Sequence, residues 1–369
     1  MFYNRGIKRV LAAPLDEQLV YRREMTGRIK AALLTEPEGP HIDIYLDSLA
    51  SADGIEEVSI ADPEGRVFDR ARSKMAGRFS GNLAYRDAQV LLRERRPNLV
   101  VIAYSADRAP KIIEAALDSG AHVLAEKPAC VRAADFERLN ARALERKRHL
   151  MLAFATRVNP LVRKARALVH EGALGKLYGA SLYFIADQTR LRASQYHQSW
   201  YASKERAGGG HLIWLGIHYV DLAQFITGQT VARVCGFAEN VGGQPIDVED
   251  SASVALEFSG GMLATLQSGY YLDHGYHSQI RIWGSNGWLR TDLVSGSPLE
   301  WHLNRASGIE KMASAQGKDN SYRSFVQAAV DAARGISPPP VTGTECLKAL
   351  EAVFALYQAS AAGRVQNIA

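Results

Sequence analysis

From residue 28 onward the chain alternates short apolar runs with stretches of helical spacing. Residues 28–34, 58–61, 99–103, the run closing at Glu126 and residues 150–155 read as strands. Between them, residues 40–51, 68–76, 86–96, 109–119 and the stretch carrying Phe136, Leu139 and Ala143 place apolar side chains three to four apart and read as helices. Strands that alternate with helices predict a parallel, doubly wound sheet. After Asn159-Pro160 the rhythm changes. A helix over 160–171 gives way to alternating strands at 177–186, 231–238, 251–258, 262–268, 278–283 and 287–292, with turn residues at Gly260-Gly261 and Ser285-Asn286-Gly287. Consecutive hairpins predict a large, mostly antiparallel sheet with one face to be covered by helices or by a partner. Residues 322–334 and 344–362 read as terminal helices on either side of Pro338-Pro339-Pro340. The expected organisation is an extension over 1–24, a first domain over 25–155, a second over 156–320, and terminal helices over 321–369 that pack back across both.

One helix carries more than packing information. Residues 208–221 open with three glycines, which allow close backbone approach, and continue with His211, Trp214, His218 and Asp221 spaced three, four and three apart. On a regular helix those four share one face, opposite an apolar stripe of Leu212, Leu215, Tyr219, Leu222 and Ile226. A second motif, residues 121–128, is an apolar strand that ends in Glu126-Lys127-Pro128. Ligands of open parallel sheets sit beyond the carboxyl ends of the strands, so Lys127 is expected to face a cleft.

Composition narrows the partners. At 369 residues, 47% hydrophobic and 22% charged, the chain has the make-up of a globular protein of two domains. The net charge of +5 is spread among acidic residues, and its clusters, Arg93, Arg95 and Arg96 or Arg146, Lys147 and Arg148, fall near helix ends, where they complement the helix dipole; no nucleic-acid partner is expected. No window resembles a membrane span or a signal peptide. The three cysteines, Cys130, Cys235 and Cys346, lack paired spacing and fit a reducing cytoplasm.

The glutamate-lysine-proline tripeptide, the glycine-led helix with its histidine, the Val248-Glu249-Asp250 strand entry and the closing Ala361-Ala362-Gly363-Arg364-Val365 resemble the Gfo/Idh/MocA oxidoreductases from about residue 28 to the end. The resemblance implies a Rossmann-like α/β domain followed by an α+β domain, an NAD cofactor, and dimers or tetramers joined through the open-faced sheet. It also implies a carbohydrate-like substrate and hydride chemistry in which Lys127 contacts the reacting hydroxyl and His218 is the base. Trp214 stands where the family has an aspartate; an indole there suits a sugar ring. Asp221, one helical turn on, is the expected partner of His218.

The turn after the first strand, Leu34 to His41, retains Gly39 alone of the expected glycines, and Glu36 and Glu38 put negative charge where a pyrophosphate belongs. Asp62, at the end of the second strand, suits ribose hydroxyls and favours NAD over NADP. The remaining cofactor candidates are Thr35, His41, Ala103, Ser105, Glu126 and Lys127. Substrate candidates are Tyr104, Glu126, Trp200, His211 and Trp214, with Gln188, Tyr196 and His197 from the unpatterned stretch 187–201, and His277. No histidine pair has zinc-hydrolase spacing, and no metal is expected. Two other activities stay open: cleavage of a glycoside by transient oxidation with retained NAD, and a cofactor-free sugar-binding or regulatory protein.

Overall fold

A computed structural model describes residues 27–313 and 321–368; the extension over 1–24 lies outside them. The first domain runs β1 (Ile29–Thr35), α1 (Ile42–Ser51), β2 (Ile55–Ala61), α2 (Phe68–Lys74), β3 (Ala84–Tyr85), α3 (Ala88–Arg95), β4 (Leu99–Ala103), α4 (Ala109–Asp118), β5 (His122–Ala125), α5 (Ala133–Glu145) and β6 (Leu150–Leu152). Its six strands are parallel in the order β3-β2-β1-β4-β5-β6. Every residue of β4 is buried, which is why its sequence is a continuous apolar run rather than an alternation. The order reverses on either side of β1, so a crevice opens beyond the carboxyl ends of β1 and β4.

The second domain contains α6 (Pro160–His170), β7 (Leu177–Asp187), the short helices α7 (Ser194–Gln198) and α8 (Lys204–Ala207), α9 (Ile217–Thr227), and strands β8 (Val231–Glu239), β9 (Ser251–Phe258), β10 (Leu263–Leu272), β11 (His277–Gly284), β12 (Gly287–Thr291), β13 (Leu299–Leu303) and β14 (Glu310–Met312). Helices α10 (Ser321–Ala333) and α11 (Gly343–Ala362) and strand β15 (Gln366–Asn367) close the chain. The nine-stranded sheet runs β14-β13-β12-β11-β7-β10-β9-β8-β15 and is mixed, because β7 and β10 pair in parallel. Helix α10 packs on α1, while α11 packs on α5 and β6 of the first domain and on β8 and α9 of the second. One continuous apolar core therefore joins both sheets.

Among the described residues, nothing covers the opposite face of the large sheet. Cross-strand register puts Phe237, Leu263 and Trp283 on that face, where they are 73%, 62% and 38% exposed. No described helix is long and apolar enough to cross a membrane.

Candidate active site

Strand β5 stops at Ala125, so Glu126 and Lys127 emerge at its carboxyl end, next to the crevice. Glu126 is buried, and its Oε1 accepts from the Tyr45 hydroxyl at 2.7 Å and the Tyr322 hydroxyl at 2.9 Å and lies 2.9 Å from His41 Nδ1. Burial alone would raise its pKa, but His41, Lys127 and the tyrosine hydroxyl outweigh that and hold it down at about 2. Glu126 is thus an anion with its lone pairs largely taken. Two of its partners, Tyr45 and Tyr322, carried no signal in the sequence.

Lys127 is 2% exposed. Its Nζ donates to the Trp214 carbonyl at 2.5 Å and sits 3.4 Å from the centre of the Trp214 indole. Burial pushes its pKa down to about 8, with Arg190 acting in the same direction and Glu126 against it. His218 lies within the field of Lys127, Glu126 and His41, presents its ring edge-on to Phe154 at 5.8 Å, and makes no hydrogen bond to a described residue. Burial, reinforced by the Lys127 charge, lowers it to about 3, so the imidazole is neutral at pH 7. Lys127, His218 and Trp214 are therefore together, as the sequence suggested.

The expected stripe does not extend further. Residues Leu212–Gly216 form a π-helical turn, with Ile217 N–H bonding to Leu212 O, and this added slack swings His218 away from the face that carries His211. His211 is fully buried with Nδ1 2.6 Å from Ser268 Oγ, its ring edge-on to Tyr270. Asp221 does not partner His218. It is buried and takes a bidentate contact from Arg157, at 2.9 Å from Nε and 2.6 Å from Nη2, while Arg157 Nη1 reaches Glu345 at 2.8 Å. Burial opposes the Arg157 charge, but the two carboxylates keep the guanidinium protonated.

The glycines at the head of this helix approach protein, not a free cleft. A Cβ on Gly210 would lie 1.9 Å from Glu249 O. That approach lets the buried Glu249 carboxylate accept from Gly210 N at 2.6 Å, Leu212 N at 2.9 Å and the Tyr357 hydroxyl at 2.8 Å, which satisfies the orphan donors of the helix start. The Val248-Glu249-Asp250 segment is thus a helix cap.

At the dinucleotide turn the charge balance differs from the expectation. Glu36 does not face a pyrophosphate. It is 3% exposed, accepts from Ser105 N at 2.6 Å and pairs with Arg108, whose cation cancels its charge. Gly39 is required by the turn itself, since a Cβ there would sit 2.4 Å from Ala103 O and from Thr35 Oγ1, and Thr35 Oγ1 donates to that same carbonyl at 3.2 Å. Asp62 is 1% exposed, with its oxygens accepting from Glu64 N and Val67 N at 3.0 Å, so it shapes its own turn instead of offering a free carboxylate to a ribose. Two features fit a dinucleotide. The buried Ser105 Oγ just beyond the end of β4 has no hydrogen-bond partner among the described residues, and the first-turn N–H groups of α1 beyond His41 form the usual anion site of such a fold. Arg108, half exposed over the ring of the buried Tyr104, adds guanidinium donors beside them, its charge balanced by Glu36.

The stretch between β7 and the glycines is more ordered than its sequence suggests, and it folds onto this turn. Trp200 is 1% exposed, donates from Nε1 to Glu38 O at 3.2 Å and packs with Ala106 and Ala207; Asp107 N bonds to Arg206 O at 3.1 Å. Tyr196 stacks near Tyr201, which meets Trp214 edge-on at 4.7 Å. His197 bonds to Leu191 O within its own loop, Gln188 donates to Asp273 at 3.2 Å on the surface, and His277 is an exposed strand residue; these three are not drawn to Lys127. Among the described residues no group of three His, Cys, Asp or Glu is placed to hold a metal ion.

Comparison with known proteins agrees with this architecture. Residues 38–154 match the model of the oxidoreductase family with an NAD-binding Rossmann fold, and residues 162–290 match the GFO/IDH/MocA C-terminal domain. The chain is 26% identical over 233 residues to the myo-inositol 2-dehydrogenase of Thermotoga maritima, a match that covers 61% of this chain and 65% of that enzyme. It is 30% identical to the dTDP-3,4-didehydro-2,6-dideoxy-alpha-D-glucose 3-reductase of Streptomyces violaceoruber, over 69% of this chain and 70% of that one. The fold superimposes with a TM-score of 0.83 on an oxidoreductase domain protein from Kribbella flavida at 23% identity, covering 93% of this chain and 100% of the other. With a parallel Rossmann domain that ends in Glu126-Lys127, a helix that presents His218 and family models matched in both halves, the chain belongs to the Gfo/Idh/MocA family of NAD-binding oxidoreductases.

Proposed function

We propose that the protein is a dehydrogenase that moves a hydride between NAD and a hydroxyl-bearing carbon of a sugar, sugar acid or cyclitol. The observation that carries the reading is Lys127: a buried amine at a strand end, held by the Trp214 carbonyl, beside the imidazole of His218, which bonds to none of the described residues. Ser105, Arg108 and the start of α1 would hold the dinucleotide. When bound, the nicotinamide supplies the hydride acceptor. Of the two bases, Lys127 is the better match to proton transfer near neutral pH, because its pKa of about 8 lies close to the working range whereas His218 at about 3 is a poor acceptor. Lys127 in its neutral form takes the hydroxyl proton, and neutral His218 orients that hydroxyl by a hydrogen bond.

The test is NADH formation over a panel of aldoses, aldonates, uronates and inositols. Lys127→Ala and His218→Ala should each lower kcat by about a hundredfold or more. Wild-type turnover in both variants would remove these residues from the reaction, and failure of the folded protein to bind NAD or NADH by calorimetry would overturn the reading itself. The exposed apolar face of the large sheet supports a homodimer or homotetramer, with Phe237, Leu263 and Trp283 at the interface. Light scattering should give a multiple of 40.4 kDa, and Phe237→Asp should shift it to the monomer mass; a monomeric wild type at micromolar concentration would rule this out. Cys130 and Cys346 are buried free thiols, which supports residence in a reducing cytoplasm.

A further inference from the structure

The charged groups around Lys127 do not balance. Each nearby acid is committed elsewhere: Glu126 to His41, Tyr45 and Tyr322, Glu249 to Gly210, Leu212 and Tyr357, and Asp221 to Arg157. Arg190, from the segment after β7, makes no ion pair with a carboxylate among the described residues. Its guanidinium lies 5.6 Å from the centre of the Tyr270 ring and Nη2 donates to the Tyr276 hydroxyl at 3.0 Å. The neighbouring acids bond elsewhere, although the Arg190 charge bears on Asp187. Asp187 accepts from Thr189 N and Oγ1, both at 2.7 Å, and Asp273 lies 3.4 Å from Arg192 and also takes Gln188. The Arg190 charge bears on both Lys127 and His211. Beneath it, the Tyr270 ring meets His211 edge-on at 4.4 Å, and His211 Nε2 is buried with no hydrogen-bond partner among the described residues.

A partly buried guanidinium thus acts on a buried ammonium and stands over the ring that meets an orphaned imidazole nitrogen, and the acids near them bond to other groups. Leaving such groups unanswered is costly, and the group that answers a planar guanidinium with hydroxyl donors beside it is an anion that accepts in one plane. We propose that the substrate of this cleft carries a carboxylate, that Arg190 binds it, and that the ring bearing the carboxylate lies over the tyrosines between Arg190 and Lys127. This places the substrate among sugar acids and not neutral sugars or cyclitols. It rests on the reading of the cleft as a carbohydrate site, and it makes Arg190 a specificity-determining residue.

The experiment is a calorimetric comparison of D-glucuronate, D-gluconate, glucose 6-phosphate and D-glucose binding to the full chain, with and without NAD, in wild type, Arg190→Met and Arg190→Lys. Thermal unfolding checks that the variants fold. The proposal expects at least one of the two carboxylates to bind more tightly than glucose by about tenfold or more, the preference to vanish in Arg190→Met, and part of it to return in Arg190→Lys. Equal affinity for acid and neutral sugar, a preference that survives Arg190→Met, or no binding of any probe would overturn it. Tightest binding of glucose 6-phosphate would keep the anion site but refute the carboxylate. Reduction of NAD by neutral sugars alone would refute the proposal and leave the dehydrogenase reading intact; carboxylate binding by a protein that binds no nucleotide would do the reverse.

Discussion

Burial changes the chemistry of Lys127. An ordinary lysine is protonated throughout the physiological range and accepts nothing, whereas an amine brought to about 8 has a usable neutral fraction at neutral pH. Since the neutral amine is the form that takes a proton, kcat/KM should be low in acid, rise through an apparent pKa near 8 and level off above it. A pH profile without that rise would exclude Lys127 as the acceptor. The indole face 3.4 Å from Nζ favours the charged amine, so Trp214→Leu should move the midpoint downward by about half a pH unit, read from the same profile. Lys127 was legible in the sequence because the end of an apolar strand fixes where its next residues point. The environments of Glu36 and Asp221 were not. Their cations, Arg108 and Arg157, lie 72 and 64 residues away along the chain, and no local pattern announces such a pairing.

At the scale of elements, the helix that bears His218 depends on two contacts, one ahead of its start and one within it. Gly210→Ala would drive a methyl into the Glu249 carbonyl and is expected to destabilise the fold by about 1–3 kcal/mol, seen as a lower Tm. Asp221→Asn should leave Arg157 buried with only Glu345 and cost about 3–5 kcal/mol; Arg157→Met added to it should recover part of that loss, and failure to do so would mean the pair is not the source. The long strands and helices declared themselves by period. The two-residue β3 and β15 and the three-residue β14 are too short to have one, and the parallel pairing of β7 with β10 is a property of topology. The π turn was also invisible, since spacing in sequence assumes a regular helix and records no extra residue inside it.

Across the whole molecule, histidines held neutral by burial set the acid limit. His122 and His211 are lowered to about 3, the former by burial and then by the charges at His149 and Arg148, the latter by burial, Arg190 and Lys127. A lowered histidine contributes stability that is complete above the unfolded pKa of 6.5 and is lost as pH falls toward the folded value. Each should therefore remove about 2 kcal/mol of unfolding free energy between pH 6.5 and pH 5, measured by urea titration. Constant stability over that interval would mean that these rings are already accessible to protons.

Trp200 joins the two domains at one point, with its indole enclosed between Ala106 and Ala207 and its Nε1 on the Glu38 carbonyl. An indole moved from such a place into water shifts its emission to longer wavelength. Separation of the two domains along this seam should therefore be visible in the unlabelled protein, and Trp200→Phe should remove that signal. The chain carries its own optical gauge of how far the crevice is open.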